Sequence, residues 1–562
     1  MCFSIYSYNV LRDIGDYMII NFNNRRINVN KGDLLKDIFK KEIQDNNDLI
    51  AARYNNSVVS LNEAIDEPGT IELIDRNNKD GRYIYIRGAL FIVAMAIHEL
   101  YPKAYFSVNY QLSNAMYCAL DKIDLNERII EEIRKKVQEI IKANHEIKRV
   151  QMTQDEAEDF YRDHPSMRGR LQVETDKDKV TLYFCGKYFN YFYGIMPITT
   201  GVISLIDLDL FKDGFLIKYP SLDKPNEISI RGKQSLKQIS AMDEYDELFK
   251  LMHINTFYLL NKKIREGKLK DIILFSEAIH ERKIAQIAKR IRQQENVKMI
   301  LIAGPSSSGK TTFAKKLSIA LRVQGIKPVT LSTDNYFVER KDNPVDENGN
   351  YDFERLDALD LDLLNNQLLD LLQGKEVKLP TFDFMVGTKK YLGNTMKLND
   401  DEVIIMEGIH CLNEELTSLI PKENKFKIYI SDLTVLNIDY YNRVSTTDTR
   451  LLRRIVRDYN FRGYSALHTL KMWPNVTKGE RKYIFPYQDE ADVMFNSSII
   501  YELSILKKYA MPLLEEITSI EPEYSEAQRL CSLLQYVDVV EPDWIPNNSL
   551  LREFIGGSIY EY

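Results

Sequence analysis

A glycine-rich stretch in the second half of the chain has the residue types that bind phosphate. Gly304 and Gly309-Lys310-Thr311 fit the pattern G-x-x-x-x-G-K-[ST], in which loop N–H groups surround the phosphates, the lysine reaches the outer ones and the hydroxyl ligates Mg²⁺. The apolar run from Met299 to Ala303 precedes this loop, and apolar residues at helical spacing follow it. This context disfavours an ordinary serine-rich turn. The residues predicted to bind nucleotide phosphates are Gly304, Pro305, Ser306, Ser307, Ser308, Gly309, Lys310, Thr311 and Thr312.

An aspartate follows the next predicted strand. Lys327 to Ser332 reads as a strand and ends in Thr333-Asp334-Asn335. The carboxyl ends of parallel strands are where α/β folds place ligand-binding groups. Asp334 is therefore predicted to accept the proton of a substrate hydroxyl as that hydroxyl attacks a γ-phosphate. A turn or helix cap is the alternative for this tripeptide, and the neighbouring phosphate loop favours catalysis.

Three later stretches supply further acids and aromatic residues. The first is the acidic helix start from Tyr351 to Asp360, where Asp357 could accept hydrogen bonds from ribose hydroxyls. In the second, Leu379 to Phe384, aromatic side chains surround an aspartate and could stack on a base. For both stretches, capping or core packing explains the pattern equally well. The third is a buried strand that ends in Glu407, where a carboxylate would lie near Mg²⁺ and its waters.

Four arginines recur at three- and four-residue spacing after these motifs. Arg450, Arg453, Arg454 and Arg457 share one helical face. Such a face could be solvated or paired with nearby aspartates. A well-placed arginine that stabilises charge on a transferring phosphoryl group is worth roughly 10³–10⁵ in rate. In a chain with a phosphate loop, that magnitude favours a lid over the phosphates.

Length and composition restrict the elements that can position these residues. The 562 residues predict three or four domains, and the formal charge of −7 argues against a globally basic nucleic-acid surface. Five scattered cysteines indicate neither a disulfide framework nor a clustered zinc site. The longest apolar run, Ala89 to Ile97, is about half of what a membrane span needs. We expect a cytoplasmic protein without export signal or membrane anchor.

The first part of the chain has the pattern of a small β-rich module. Residues 1–17 show no clear pattern and are treated as an N-terminal extension. From Met18, two short apolar runs flank Asn23-Asn24 like a hairpin, and a helix and further strand-like pieces follow as far as residue 76. This order is typical of a β-grasp module. Residues 18–76 resemble the TGS domain of threonyl-tRNA synthetases, and the resemblance carries no catalytic residue.

The next segment, residues 82–228, changes from helical to strand patterns. An apolar helix ending at Leu100 and an amphipathic helix from Asn126 to Lys148 precede strands, one of them predicted from Gly201 to Leu208. The segment resembles the second additional domain of threonyl- and alanyl-tRNA synthetases, which edits mischarged tRNA. The family's H-x-x-x-H pair is absent, since Pro102 stands four residues after His98. The resemblance therefore implies a binding or regulatory scaffold.

Residues 229–296 have helical patterns without a catalytic signal and are expected to connect this half to the core, residues 297–515. The motifs of the core are GPSSSGKTT, STDNYF, DFERLDALD, LPTFDF, VIIMEGIH and TTDTRLLRRIVRD. Their order resembles the uridine kinase and phosphoribulokinase family, and specifically bacterial uridine kinase-like proteins with synthetase-like modules in front. Residues 516–562 are expected to form a C-terminal helical extension.

The resemblance implies roles for individual residues. Asp334 would be the base, with Lys310, Arg450 and Arg454 as further catalytic residues. Arg453 and Arg457 would contact ATP, and Thr311 and Glu407 would hold Mg²⁺. The substrate-binding residues would be Asp334, Tyr336, Asp357, Phe382 and Asp383. Ordinary uridine kinases have a basic group where this chain has Met385-Val-Gly-Thr-Lys389, which leaves the preferred base open.

The combined interpretation is an α/β multidomain protein with a P-loop parallel-sheet kinase core. Its expected activity is transfer of the ATP γ-phosphate, with Mg²⁺, to the 5′-hydroxyl of a nucleoside, with a pyrimidine as the favoured base. One alternative is a kinase for another sugar or sugar phosphate. Another is a regulatory nucleotide hydrolase whose front modules contact RNA or tRNA. A homo-oligomer is compatible with the sequence.

Overall fold

The computed structural model describes residues 17–162, 179–228, 236–345, 349, 351–383, 386–399, 401–434 and 436–561. Nearly all of the N-terminal extension, Phe384 of the aromatic motif and Met385 of the segment after it lie outside this range. The described residues form two compact units. Unit 1 comprises those within Met1–Gln234, Asn437–Arg443 and Glu515–Tyr536, and unit 2 comprises those within Ser235–Leu436, Val444–Leu514 and Val537–Tyr562.

Unit 1 begins with a five-stranded sheet of order β2-β1-β5-β3-β4. Its elements are β1 (Tyr17–Phe22), β2 (Arg25–Asn30), α1 (Leu35–Ile38), α2 (Lys40–Asp45), β3 (Leu49–Tyr54), β4 (Ser57–Val59) and β5 (Gly69–Asp75). The predicted hairpin is confirmed: β1 and β2 pair antiparallel, and Asn23 and Asn24 have positive φ angles, as a two-residue turn requires. Ile20, Leu35 and Phe39 pack in the core between the sheet and the short helices.

The rest of the described part of unit 1 contains two antiparallel sheets and four longer helices. The elements are α3 (Lys79–Leu100), β6 (Tyr105–Leu112), β7 (Ala115–Asp121), α4 (Glu127–Ala143), β8 (Lys148–Met152), α5 (Gln154–Arg162), β9 (Val180–Cys185), β10 (Tyr188–Tyr191), β11 (Asp207–Phe211), β12 (Gly214–Lys218) and α14 (Tyr524–Leu534). The sheet orders are β11-β12-β7-β6 and β10-β9-β8. Helix α3 is long and apolar enough to cross a membrane by length and composition, and 67% of its most apolar window is buried inside the protein.

Two sequence predictions in this region are wrong. The strand expected from Gly201 to Leu208 begins only at Asp207, and a 3-10 turn at Thr200–Val202 precedes it. The amphipathic helix ends at Ala143 rather than Lys148, because Asn144 adopts the left-handed conformation that terminates helices. An apolar run without a clear period is compatible both with a strand and with a buried turn, so it does not fix where the strand begins.

Unit 2 starts with three helices and continues into a parallel sheet. Its main elements are α6 (Leu236–Met252), α7 (Phe257–Arg265), α8 (Leu269–Arg292), β13 (Met299–Ala303), α9 (Lys310–Val323), β14 (Lys327–Ser332), α10 (Leu361–Leu372), β19 (Glu402–Glu407), β20 (Lys425–Ser431), α11 (Thr446–Arg462), α12 (Ala466–Tyr483), β21 (Val493–Asn496), α13 (Glu502–Glu515) and α15 (Arg552–Ile555). The short strands β15 (Val377–Lys378) and β18 (Thr395–Met396) pair with each other, as do β16 (Thr381–Asp383) and β17 (Thr388–Lys390).

The main sheet of unit 2 has the order β14-β19-β13-β20-β21, and all its pairs are parallel. The central strand β13 is buried at every position, as expected for a strand covered on both faces. Because the strands are parallel, their carboxyl ends lie at one edge, and the loops that follow β13, β14 and β19 meet there. The expected C-terminal extension is divided, since α14 belongs to unit 1 and residues 537–562 belong to unit 2.

Candidate active site

The phosphate loop lies between β13 and α9, as the sequence predicts. Ser307 and Gly309 have positive φ angles of 58° and 84°, which turn successive N–H groups toward the inside of the loop. A Cβ atom on Gly304 would lie 2.0 Å from the carbonyl oxygen of Ile430 on β20. Only glycine allows this close approach of the loop to the neighbouring strand.

Side chains inside the loop are arranged for an anion. The Lys310 ammonium donates to the carbonyl oxygens of Gly304 (3.0 Å) and Pro305 (3.1 Å), so it folds back over the loop. Burial lowers the pKa of Lys310, and the Glu407 carboxylate opposes that shift. The hydroxyls of Ser307 and Ser308 are buried and have no hydrogen-bond partner within the described residues. Phosphate oxygens would satisfy both hydroxyls and the ammonium.

A hydroxyl and a carboxylate meet beside the loop. The Thr311 Oγ1 atom lies 3.2 Å from Glu407 Oε1 and 3.4 Å from Oε2. Burial raises the pKa of Glu407, and the nearby Glu553 carboxylate adds to this effect while Lys310 opposes it. A half-buried carboxylate next to a hydroxyl is an oxygen-only donor pair of the kind Mg²⁺ prefers, with water and phosphate as its other ligands. The residues present therefore fit the predicted ion.

Asp334 lies in a 3-10 turn directly after β14. Its N–H donates to the Ser332 hydroxyl at 3.2 Å, which holds the turn, and its side chain is open to solvent. Surrounding protein atoms raise its pKa, while Lys310 and Arg462 oppose the shift. Thr333 donates to the carbonyl oxygen of Glu407 at 3.1 Å and so ties the ends of β14 and β19 together. The carboxylate of Asp334 thus stands at the same sheet edge as the phosphate loop.

Two of the four arginines, Arg450 and Arg453, are buried in ion pairs. Arg450 makes a bidentate pair with Glu480, at 2.6 and 2.9 Å, and donates to the Ser306 carbonyl oxygen at 3.2 Å. Arg453 has no exposed surface and donates to Glu502 at 2.6 Å and to the Ser307 carbonyl oxygen at 3.4 Å. Both guanidinium groups therefore support the outside of the phosphate loop.

The other two arginines, Arg454 and Arg457, keep access to solvent. Arg454 donates to the Ser306 hydroxyl at 2.9 Å and to Asp458 at 3.2 Å. Arg457 donates to the same aspartate at 2.8 and 3.1 Å. Their side chains are 16% and 15% exposed, against 3% and 0% for Arg450 and Arg453. The arginine face is therefore divided into a buried pair that holds the loop and a more accessible pair.

The residues expected to bind the acceptor differ in their surroundings. Tyr336 is fully buried and donates to Gln367 at 2.8 Å. Asp357 is exposed and forms a bidentate pair with its neighbour Arg355, which is the main cause of its lowered pKa. Phe382 packs against Phe337, with ring centroids 5.7 Å apart. Asp383 pairs with Lys390 at 2.6 Å.

Two further residues near the site, Glu354 and His410, are not singled out by the sequence pattern. Burial raises the pKa of Glu354, and the charges of Arg454 and Lys310 oppose this shift. His410 is 4% exposed; burial lowers its pKa to about 4, and the backbone carbonyl groups of Glu354 and Arg355 oppose this shift. Nothing in the sequence ranks Glu354 above Asp357, because both belong to one acidic motif.

A phosphate loop on the central strand of a parallel sheet, a Thr311–Glu407 pair for a divalent cation and an open carboxylate at the next strand end define a P-loop phosphotransferase. Residues 299–502 match the Phosphoribulokinase / Uridine kinase family. The chain belongs to this family.

Three relatives show how far the similarity extends. A uridine kinase of Staphylococcus haemolyticus is 31% identical over 201 residues, which are 35% of this chain and 87% of that protein. A uridine kinase of Ureaplasma urealyticum is 27% identical over 214 residues, 38% of this chain and 94% of that protein. A uridine kinase of Schizosaccharomyces pombe is 33% identical over 186 residues, 32% of this chain and 36% of that protein. The similarity is therefore to about a third of the chain.

Proposed function

We propose that the protein is an ATP-dependent nucleoside kinase that phosphorylates the 5′-hydroxyl of its acceptor. The observation that carries this proposal is the position of Asp334, open to solvent at the strand end beside the phosphate loop. A nucleotide hydrolase has no need for a carboxylate exposed to an incoming alcohol. The relatives named uridine kinase support a nucleoside as acceptor and a pyrimidine as its base.

The roles of the residues follow from their contacts. The loop N–H groups, Lys310 and the serine hydroxyls hold the phosphates of ATP, while Thr311 and Glu407 hold Mg²⁺, which when bound neutralises phosphate charge. Asp334 accepts the proton of the 5′-hydroxyl as its oxygen bonds to the γ-phosphorus and the bond to the β-phosphate oxygen breaks. ADP and a nucleoside 5′-monophosphate leave.

The two accessible arginines take the charge that develops on the transferred group. Arg454 and Arg457 are the members of the predicted lid that are not fully buried, and Arg454 already reaches the Ser306 hydroxyl. Arg450 and Arg453 act on the same phosphates indirectly, through the loop carbonyl groups they hold. The predicted lid thus contains two contact residues and two positioning residues.

For the acceptor, Glu354 is a stronger ribose ligand than Asp357. The charges of Arg454 and Lys310 act on the carboxyl group of Glu354 and oppose the rise in its pKa, whereas the Asp357 carboxylate is paired with Arg355. Phe382, on β16, remains the proposed stacking partner of the base. Each of these assignments predicts a loss of nucleoside affinity, rather than ATP affinity, on substitution.

We also propose that the front half binds rather than catalyses, as a TGS-like module followed by a synthetase-editing-like module that contacts RNA or tRNA. The sheet order β2-β1-β5-β3-β4 supports the first module. In the second, the His98 ring packs against Tyr188, and burial raises the pKa of the Cys185 thiol to about 11. A thiol with that pKa is a poor nucleophile at neutral pH.

A panel of nucleosides, sugars and sugar phosphates incubated with Mg²⁺-ATP tests the proposal. We expect a nucleoside 5′-monophosphate, identified by mass and by ³¹P NMR, from one or a few pyrimidine nucleosides. Phosphorylation of a sugar or sugar phosphate alone would overturn the nucleoside assignment. ATP hydrolysis that requires RNA, without transfer to any acceptor, would favour the regulatory alternative.

A further inference from the structure

The C-terminal segment of unit 2 is built into the phosphate-binding end of α9. Leu551 and Phe554 have no exposed surface, and the Ser549 hydroxyl donates to Glu277 at 2.6 Å. The Lys316 ammonium, on α9, donates to the carbonyl oxygen of Asn548 at 3.1 Å. Displacing the segment would expose two large apolar side chains, which is costly. The segment is therefore a fixed part of this site.

This segment places a carboxylate on the first turn of α9. Glu553 Oε2 accepts hydrogen bonds from the Thr312 N–H at 3.1 Å and from the Thr312 hydroxyl at 2.6 Å. The Leu550 side chain covers Gly309, since a Cβ atom there would lie 2.6 Å from Leu550 Cδ2. The first N–H groups of such a helix are the groups that cradle the inner phosphates of a nucleotide. Glu553 thus occupies donors that a phosphate would use.

The carboxylate and a nucleotide are both anions, and both need the same donors. Glu553 also raises the pKa of Glu407, which places its charge near the predicted cation site. The backbone of the segment is fixed by Leu551 and Phe554. The Glu553 side chain, which has three rotatable bonds, must therefore rotate away when a phosphate binds. Glu553 is half-buried, so part of the residue already contacts solvent.

We propose that Glu553 is an internal competitor for the inner phosphates of the nucleotide. In the free protein it satisfies the end of α9, and ATP must turn it away on binding. Its return favours release of ADP. This proposal rests on the proposed function only in taking a nucleotide as the ligand of the loop.

Titration calorimetry of the full chain with Mg²⁺-ADP, without any nucleoside, tests whether Glu553 competes with the nucleotide. Glu553→Gln keeps the shape and one acceptor but removes the charge, and we expect its Kd for ADP to fall roughly tenfold. The free variant should also unfold at a lower temperature than the wild type, because α9 loses its anion. The control is Glu541→Gln, on the same C-terminal part of the chain, whose carboxylate is 61% exposed and pairs with Lys508. Its Kd should stay within about twofold of the wild type.

If Glu553→Gln binds ADP with unchanged or weaker affinity, the proposal that Glu553 competes with the nucleotide is overturned. If this variant does not fold, Glu553→Asp replaces it: the shorter charged side chain should bind ADP with an affinity above that of the wild type, and an unchanged affinity would likewise overturn the proposal. A failure to phosphorylate nucleosides would overturn the proposed function and leave the ADP result standing.

Discussion

Glu480 joins the arginine helix to the phosphate loop. Its carboxylate accepts hydrogen bonds from both terminal nitrogens of Arg450, at 2.6 Å to Oε1 and 2.9 Å to Oε2. The Oε1 atom also accepts a hydrogen bond from the Ser306 N–H at 2.9 Å. Both side chains of the pair are 3% exposed. The position of the loop therefore depends on an ion pair between α11 and α12 that sequence spacing does not reveal.

Breaking this pair should destabilise the protein as well as the site. Glu480→Gln leaves the Arg450 guanidinium buried without its counter-charge, a change that typically costs about 3–5 kcal/mol of unfolding free energy. We expect a lower unfolding temperature and weaker ATP binding together. Glu490→Gln, an exposed acid in the turn after α12, is the control. Normal stability with weak ATP binding would instead indicate a direct contact with the nucleotide.

The accessible arginine should behave differently. Arg454→Ala removes a guanidinium that is 16% exposed and whose partners are Ser306 and Asp458. We expect kcat to fall by roughly 10³-fold, while the unfolding free energy falls less than in Glu480→Gln, because Asp458 keeps its ion pairs with Arg457 and Arg462. Steady-state kinetics and thermal unfolding measure the two effects. Arg322→Gln, at the exposed end of α9, should change neither, and full activity of Arg454→Ala would remove this residue from the phosphoryl-transfer step.

The pH dependence of catalysis should report Asp334. A general base works only when it has lost its proton, and the pKa of Asp334 is raised by its surroundings. As pH falls, kcat/KM should therefore begin to decline at a higher pH than an ordinary aspartate would give. Arg462 opposes the raised pKa, so Arg462→Gln should shift the acid limb to still higher pH. A limb that does not move in this variant would argue against Asp334 as the titrating base.

A buried histidine should make unit 2 sensitive to acid. Burial lowers the pKa of His280 to about 3, and its Nε2 atom lies 3.1 Å from the carbonyl oxygen of Ser498. An unfolded histidine, with a pKa near 6.5, binds a proton that the folded one rejects. The contribution of neutral His280 to the free energy of unfolding is therefore fully present above pH 6.5. It is lost as the pH decreases toward 3, and the loss is about 2 kcal/mol at pH 5. Calorimetric unfolding at pH 7 and pH 5 should show this loss in the wild type and a smaller loss in His280→Gln.

Local patterns in the sequence predicted the parts of the site that local patterns determine. The strand before Gly304, the helix after Lys310 and the strand ending at Glu407 are confirmed, because a buried parallel strand and a phosphate loop each have a strong sequence signature. The four-arginine face was likewise visible in its spacing. Its division into buried and accessible pairs was not, because Glu480 and Glu502 are 30 and 49 residues away from their partners Arg450 and Arg453.

The same limit explains Glu354 and Glu553. Glu354 is distinguished from Asp357 only by the groups around it, and Asp357 is neutralised by a neighbour two residues away. Glu553 meets Thr312 across 241 residues of chain. Contacts of this kind follow from the way the sheet and its flanking helices close on one another, which no short motif records.

The measurement that tests the central claim most directly is single-turnover transfer of the γ-phosphate from ATP to a pyrimidine nucleoside, compared between the wild type and Asp334→Asn. Equilibrium binding of Mg²⁺-ATP is measured on both proteins, and Asp362→Asn, an exposed acid on α10, serves as the matched control. We predict a nucleoside 5′-monophosphate from the wild type and the control, and a rate lowered at least a hundredfold in Asp334→Asn, with ATP affinity retained. Equal rates in the wild type and Asp334→Asn would contradict the assignment of Asp334 as the base.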